Sequence, residues 1–444
     1  MAGSLGYASR LTVRDDVGGR LGDPELLDGG DAQACPKLRE LVALLQAAKH
    51  VVVHTGAGVS TSAGIPDFRG PNGVWTLQKR GQPLPAATCP FELARPTYTH
   101  QALLALQRAG KLAYLVSCNV DCLHQRSGFP RHLLAELHGN CFAERCERCT
   151  AEAVRDFEQT TVGFKRTGRS CVHCGGSMRD QVLDWDDALP QRELQLAEQH
   201  SAQADLVITL GTSLQIHPAC NLPLKTVRNG GKLVIVNLQP TPKDKAASLV
   251  IRRRCDDVMR VVMAALHLQV PRFVRHDSLL VRHVSGNGSV ARGTCFALHV
   301  CSSHGPKCAV PWLAAVHVAF LDGDACPAKA RPSAKRRRAD GQTDVHGRGG
   351  VDDCDDDGAP PPGFHTWHQL PGPQAPWKLA CLASPVAAGD GELALRASVR
   401  VLLRLTFSPG CTAQHQDIEY TAQLRQATAE RVYTDICTVD VAVA

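Results

Sequence analysis

Two cysteine pairs carry the clearest chemistry in the sequence. Two residues separate Cys146 from Cys149, and two separate Cys171 from Cys174. Each pair forms a knuckle that presents two thiolates to one ion, and two knuckles close a tetrahedral site. Arg145, Arg148, Lys165, Arg166 and Arg169 flank the cysteines and are expected to favour thiolate. Four thiolates complete the coordination, so one structural zinc is expected, with no open position for chemistry. Cys301, His304 and Cys308 are spaced too loosely for a second site, and the two cysteines read as free thiols.

A second cluster is built from glycine. Gly56-Ala57-Gly58-Val59-Ser60 follows the apolar run Val51-Val52-Val53 and precedes a helical turn. Glycines let the backbone approach a pyrophosphate, and the free N–H groups at a helix start bind its charge. The turn alone would equally serve as a tight strand-to-helix connection. Its continuation, Ala63-Gly64-Ile65-Pro66-Asp67-Phe68-Arg69-Gly70, adds a cation, a carboxylate and an aromatic wall beside it.

The elements that must position these groups follow from periodicity. Leu38, Leu41, Val42 and Leu45 recur at helical spacing after Pro36. Apolar runs at 51–53, 113–116, 206–210 and 233–236 each end in Gly, Ser, Thr or Asn, with helix-like stretches such as 99–108 and 191–200 between them. Apolar strands without alternation, separated by helices, predict a Rossmann-like α/β fold: a doubly wound parallel sheet covered on both faces. Such sheets bind ligands at the carboxyl ends of their strands. Residues 255–266 read as a closing helix with Val258, Val261, Val262, Ala265 and Leu266 on one side.

Six domain-level segments are expected along the 444 residues. Residues 1–35 form an N-terminal extension, and 36–272 the nucleotide-binding domain, with the zinc module at 139–181. Residues 273–322 are a tail segment. Residues 323–376 hold Lys335-Arg336-Arg337-Arg338 and the acidic run 352–357, and read as a disordered linker. Residues 377–444 are β-like, with Val399 and Val401 alternating against Ser398 and Arg400. The fold class is thus a parallel-sheet domain with a small four-cysteine module and a separate, partly disordered, β-rich C-terminal extension. The formal charge of +6 is too small to imply nucleic acid by itself. The 19 cysteines without a signal peptide predict a reduced, intracellular protein, and the run 206–224 is too polar to span a membrane.

Gly56-Ala57-Gly58-Val59-Ser60-Thr61 with Gly64-Ile65-Pro66-Asp67-Phe68-Arg69 resembles the signature of the sirtuins, NAD-dependent protein deacylases. Asn119-Val120-Asp121, Glu136-Leu137-His138-Gly139-Asn140 and Gly211-Thr212-Ser213-Leu214 agree with it. Pro71-Asn72-Gly73-Val74-Trp75-Thr76, Ser127-Gly128-Phe129-Pro130-Arg131, Leu183-Asp184-Trp185-Asp186-Asp187 and Val236-Asn237-Leu238-Gln239-Pro240-Thr241 are similar to the nuclear class IV branch, sirtuin six especially. Cys255-Asp256-Asp257-Val258-Met259 leans toward sirtuin seven. The resemblance spans about residues 5–272.

The resemblance implies NAD as cofactor and an acylated lysine of histones or other nuclear proteins as substrate, with chromatin as partner and the nucleus as location. It assigns His138 as general base, with Asn119 and Asp121 beside the nicotinamide. It places Gly56, Ala57, Gly58, Thr61, Asp67, Phe68, Arg69, Trp75 and Cys118 at the cofactor, and Gly211, Thr212, Ser213, Asn237, Gln239 and Cys255 on its adenosine side. It makes Val182, Leu183, Asp184 and Trp185 the edge that pairs with a substrate peptide. The basic run at 335–338 fits a nuclear localisation signal.

Two residues depart from the family pattern. Cys118 replaces an amide that bonds a ribose hydroxyl, and Cys122 replaces a glycine. Both exchanges are expected to weaken turnover. Protein mono-ADP-ribosylation by the same NAD cleavage, and a low-activity chromatin scaffold, are the competing functions. No membrane partner is expected.

Overall fold

Pro36 opens α1 (Pro36–Ala47) at the helical position where its missing N–H costs nothing. Leu38, Leu41 and Leu45 line its buried face and lie at 1% exposure or less. Each stabilises the fold by about 1.5–3 kcal/mol. The computed structural model describes residues 10–12, 16–31, 34–84 and 91–275, then 278–285, 294–302, 304, 308, 310, 312–321, 386–387, 393–394, 439–440 and the later strands given below. The chain divides into two units, Met1–Arg275 with Val439–Ala444, and His276–Thr438.

The first unit is organised on β1 (Val51–Thr55), β2 (Tyr114–Ser117) and β3 (Leu134–Glu136). Between β1 and β2 lie α2 (Val74–Lys79) and α3 (Tyr98–Arg108), and α4 (Leu123–Arg126) precedes β3. Next come β4 (Gly139–Cys146), β5 (Glu152–Val154), β6 (Arg166–Ser170) and β7 (Ser177–Val182), then α5 (Gln191–Gln203) and β8 (Leu206–Leu210). The unit continues with α6 (Pro223–Arg228), β9 (Lys232–Val236), β10 (Leu249–Ile251) and α7 (Cys255–Ala265).

Six strands form one parallel sheet in the order β10-β9-β8-β1-β2-β3. β1 is buried along its whole length between β8 and β2, which explains its unbroken apolar run. From β1 the chain moves to β2 on one side, whereas β8 lies on the other. This reversal opens a crevice at the carboxyl ends of the central strands. β3 and β10 have only three residues each, too short for the periodicity to mark. α7 buries Cys255, Val258, Met259, Val262 and Met263 rather than the stripe ending at Ala265, so its apolar face is rotated from the expected one.

The four strands β5-β4-β7-β6 form a separate antiparallel sheet that carries the cysteines. Its interior holds a buried charge cluster. Glu144, with no exposed side-chain surface, accepts from Arg155 at 2.7 Å and Arg169 at 2.5 Å.

Among its described residues, the elements of the second unit are β-strands. One sheet pairs, in order, strands 325–327, 377–383, 294–302, 278–285 and 428–434. Another pairs 368–369, 313–320, 398–407 and 415–423. The tail segment and the C-terminal segment thus share sheets instead of standing apart. Val399, Val401, Leu403 and Leu405 are fully buried on one face, the alternation legible in the sequence. Of the linker expected at 323–376, strands Ala325–Pro327 and His368–Gln369 are described. Its basic and acidic runs lie outside the described residues. Among the described residues, no helix is long and apolar enough to cross a membrane.

Candidate active site and metal centre

β1 ends at Thr55, and after Gly56 the chain turns through two short 3-10 turns, Ala57–Val59 and Thr61–Ala63. The Gly58 N–H donates to the Gly211 carbonyl at 2.9 Å. A Cβ built on Gly56 would lie 2.7 Å from the Thr212 side chain, and one on Gly58 2.8 Å from Gly211 Cα. The two loops touch backbone to backbone, which only glycine permits.

These loops wall a cavity of about 480 Å³. Gly56, Ala57 and Gly58 line one side, with Gly211, Thr212 and Ser213 facing them and Asn237 and Gln239 beyond. Asp67, Phe68, Arg69 and Trp75 form another wall, and Cys118, Asn119 and His138 close a third. Leu183, Asp184 and Trp185 complete the rim. The aromatic wall is continuous: Phe68 and Trp75 ring centroids lie 4.6 Å apart, and Trp75 and Trp185 5.1 Å apart. Arg69 stacks over Trp75 at 4.8 Å.

Four expected residues lie elsewhere. Thr61 is exposed, and its hydroxyl donates to the Gly58 carbonyl. Cys255 begins α7 on the helix face that carries Val258, Met259 and Val262, and packs with them in the main core. Asp121 sits behind the wall, where its carboxylate accepts from Ser60 Oγ at 2.6 Å and the Leu123 N–H at 2.9 Å. Val182 is no free edge. It is fully buried in β7, paired with Gly139, and its carbonyl accepts from Gly163. Beyond it, the Asp184 and Trp185 N–H groups donate to the carboxylates of Asp187 and Asp184. Leu11, Ile216, His217 and Pro218 also line the cavity, and no motif marks them.

His138 follows β3 at the inner wall. Its Nδ1 lies 3.1 Å from the Cys118 carbonyl. A carbonyl only accepts, so Nδ1 carries the proton and Nε2 holds the lone pair. Burial pushes the His138 pKa below the usual imidazole value, while the Cys118 carbonyl opposes that shift. Asn119 donates from Nδ2 to the Gly56 carbonyl at 3.1 Å and to Ser60 Oγ at 3.3 Å. Ser60 thereby links the amide, the carboxylate of Asp121 and the glycine turn. The glycine turn, the cation and the aromatic wall, in a cavity of this size, fit a dinucleotide.

The two departures differ in consequence. Cys122 takes φ +65°, the left-handed region, and starts α4 there while buried. It carries the strain its replacement of glycine implies. The Cys118 side chain packs against the apolar cluster of Val52, Val116, Leu137 and Leu222. Burial, with Cys220 nearby, pushes its thiol up to about 12, so it stays protonated and unreactive.

The four cysteines converge as their spacing requires. Cys146 Sγ lies 3.4 Å from Cys174 Sγ, and Cys149 Sγ 3.6 Å from Cys171 Sγ. All four sulfurs fall within 4.8 Å of one another. Zinc–sulfur bonds of about 2.3 Å in a tetrahedron need sulfurs about 3.8 Å apart, so the residues fit the ion. The flanking arginines do less than expected. Arg145 pairs with Glu152, Arg166 with Glu147 and Arg169 with Glu144. Backbone N–H groups of Cys149 and Arg148 are what lower the Cys146 thiol, to about 6.

A family model described as the Sir2 family matches residues 84–218. The chain is 49% identical over 349 residues to NAD-dependent protein deacetylase SRT1 of Arabidopsis thaliana, covering 77% of this chain and 73% of that protein. It is 45% identical over 279 residues to NAD-dependent protein deacetylase Sirt6 of Drosophila melanogaster, covering 61% of this chain and 87% of that protein. Human NAD-dependent protein deacetylase sirtuin-7 is 42% identical over 264 residues, covering 57% of this chain and 64% of that protein. A solved structure described as Sir2-p53 peptide-NAD+ is 32% identical, covering 52% of this chain and 98% of that chain, with a TM-score of 0.41.

Proposed function

The chain belongs to the Sir2 family, and from that premise we propose that it is an NAD-dependent protein-lysine deacylase acting on histones or other nuclear proteins. The observation that carries this reading is His138, with its Nδ1 proton fixed on the Cys118 carbonyl and the glycine turn across the same cavity. Bound NAD supplies an activated ribose carbon with nicotinamide as its leaving group. The acyl oxygen of the lysine would take nicotinamide's place on that carbon, and His138 Nε2, with its lone pair free, is placed to take the proton of a ribose hydroxyl. Asn119 faces the cavity, and Asp121 behind it aligns Ser60 and, through Ser60, the Asn119 amide. Arg69 opposes phosphate charge, and Phe68, Trp75 and Trp185 keep water from the reacting carbon. With one water consumed, the products would be free lysine, nicotinamide and O-acyl-ADP-ribose.

The four cysteines hold one structural zinc, whose ligand set leaves no position for substrate. The substrate peptide lies along 183–185, past the paired end of β7. The basic run at 335–338 supports nuclear import, which a fluorescent fusion with Lys335 and Arg336–Arg338 changed to alanine would test by moving to the cytoplasm.

The activity is tested by nicotinamide release from NAD with a panel of acylated histone peptides. Release that depends on acyl-peptide supports deacylation. Release without peptide, with label on protein, would point to ADP-ribosyl transfer. No release would sink both enzymatic readings.

A further inference from the structure

Residues 16–31 form neither helix nor strand, yet they are bonded along their length. The carbonyls of Gly18 and Val17 accept from the Arg69 guanidinium at 2.6 and 3.1 Å. The Gly22 N–H donates back to the Arg69 carbonyl at 2.9 Å. Arg20 donates its N–H to Gln215 Oε1 at 2.6 Å. Gly19, at φ +73°, passes so close that a Cβ would lie 2.2 Å from that oxygen.

The far half reaches the opposite end of the cavity. The Leu26 N–H donates to the carbonyl of Leu238, between the two lining residues Asn237 and Gln239. Asp28 and Arg252 exchange two hydrogen bonds at 2.8 Å, and Lys37 holds the second Asp28 oxygen at 2.6 Å. The Arg252 guanidinium in turn donates to the carbonyls of Asn237 and Gln239, both at 2.9 Å.

We propose that residues 17–30 are a cofactor strap, which fixes Arg69 and the 237–239 loop in the positions that receive the pyrophosphate and adenosine of NAD. This rests on the reading of the cavity as an NAD site. The physical case is preorganisation. A free arginine loses rotamer entropy when it is ordered. Here the two carbonyls order it before ligand arrives. They also occupy only part of its five-donor fork, leaving donors for an anion. Gly19, Asp28, Gln215 and Arg252 are positioning residues in this scheme, acting through others.

The test compares Gly19→Val, Asp28→Ala and Gln215→Ala with the full-length wild type. NAD Kd is measured by calorimetry, and KM for NAD and for acyl-peptide by nicotinamide release. Each variant is expected to raise the Kd and KM for NAD about tenfold, or about 1.4 kcal/mol. The acyl-peptide KM, zinc content and melting temperature should stay near wild type. Unchanged NAD affinity in all three variants would overturn the strap. So would a matching rise in peptide KM with a fall in melting temperature, which marks a structural role alone. A wild type that neither binds NAD nor releases nicotinamide would overturn the cavity reading and the strap with it.

Discussion

A single carbonyl decides the proton on His138, and the base assignment depends on it. The neutral ring is the working form, and burial holds its pKa below the usual 6.5. Activity should therefore fall as pH drops, with the acid-limb midpoint of kcat/KM below 6.5. His138→Tyr should lower turnover by about 10²–10⁴ while zinc content and melting temperature persist. Near wild-type turnover in that variant would remove His138 from the mechanism. Cys118 leads to a different expectation. Its half-buried side chain packs against Val52, Val116 and Leu137 at the cavity wall, so Cys118→Gln sets a larger, polar group against that apolar cluster. That variant should lose about 1–3 kcal/mol of stability and gain no activity. A faster enzyme with an unchanged melting temperature would show that the cysteine is a defect after all.

At the scale of elements, the cysteine-bearing sheet depends on its ion. The outer strands β5 and β6 of the sheet β5-β4-β7-β6 are exposed or half-exposed, and the buried interior holds an ion cluster around Glu144. Structural zinc contributes about 10 kcal/mol or more in small modules. Elemental analysis should find about one zinc per chain, and Cys146→Ala or Cys171→Ala should lose it together with protease resistance of residues 139–181. Zinc retained at full stoichiometry by both variants would refute the four-cysteine site. The knuckles were legible because metal geometry dictates sequence spacing. The glycine turn was legible because close approach dictates residue type. Val182 was misread as a free edge because its partner, Gly139, lies 43 residues away in sequence, and pairing at that range leaves no local trace. The strap escaped for the same reason, since its bonds run from backbone groups that every residue carries.

For the whole molecule, buried titratable groups set the pH range of stability. Burial pushes His54 and His100 down to about 3. Folding keeps both neutral, so their contribution is complete above 6.5 and is lost as pH falls from there toward 3. Each takes up a proton on unfolding, worth at most about 1.4 kcal/mol per pH unit. Burial pushes Glu136 the other way, up to about 8. Its contribution is present below 4.5 and is lost as pH rises through 8. The opposing slopes place maximum stability near about pH 6.5, measurable by thermal unfolding across pH. Glu136→Gln should flatten the alkaline limb. A wild-type melting temperature that climbs from pH 6.5 to 8 would contradict the raised Glu136 pKa.

The backbone contact between the glycine turn and the loop after β8 makes its residues mutually dependent. A Cβ at Gly56 meets Thr212, and a Cβ at Gly58 meets Gly211. Both insertions would push the same two loops apart. Once Gly58→Ala has opened that gap, the reason for Gly56 to remain glycine is largely gone. The double substitution should then cost less than the sum of the single ones, a departure from additivity that a double-mutant cycle on unfolding free energy reads directly. Drift at these positions is thus gated by its first step: the earliest substitution bears most of the penalty, and later ones follow almost freely.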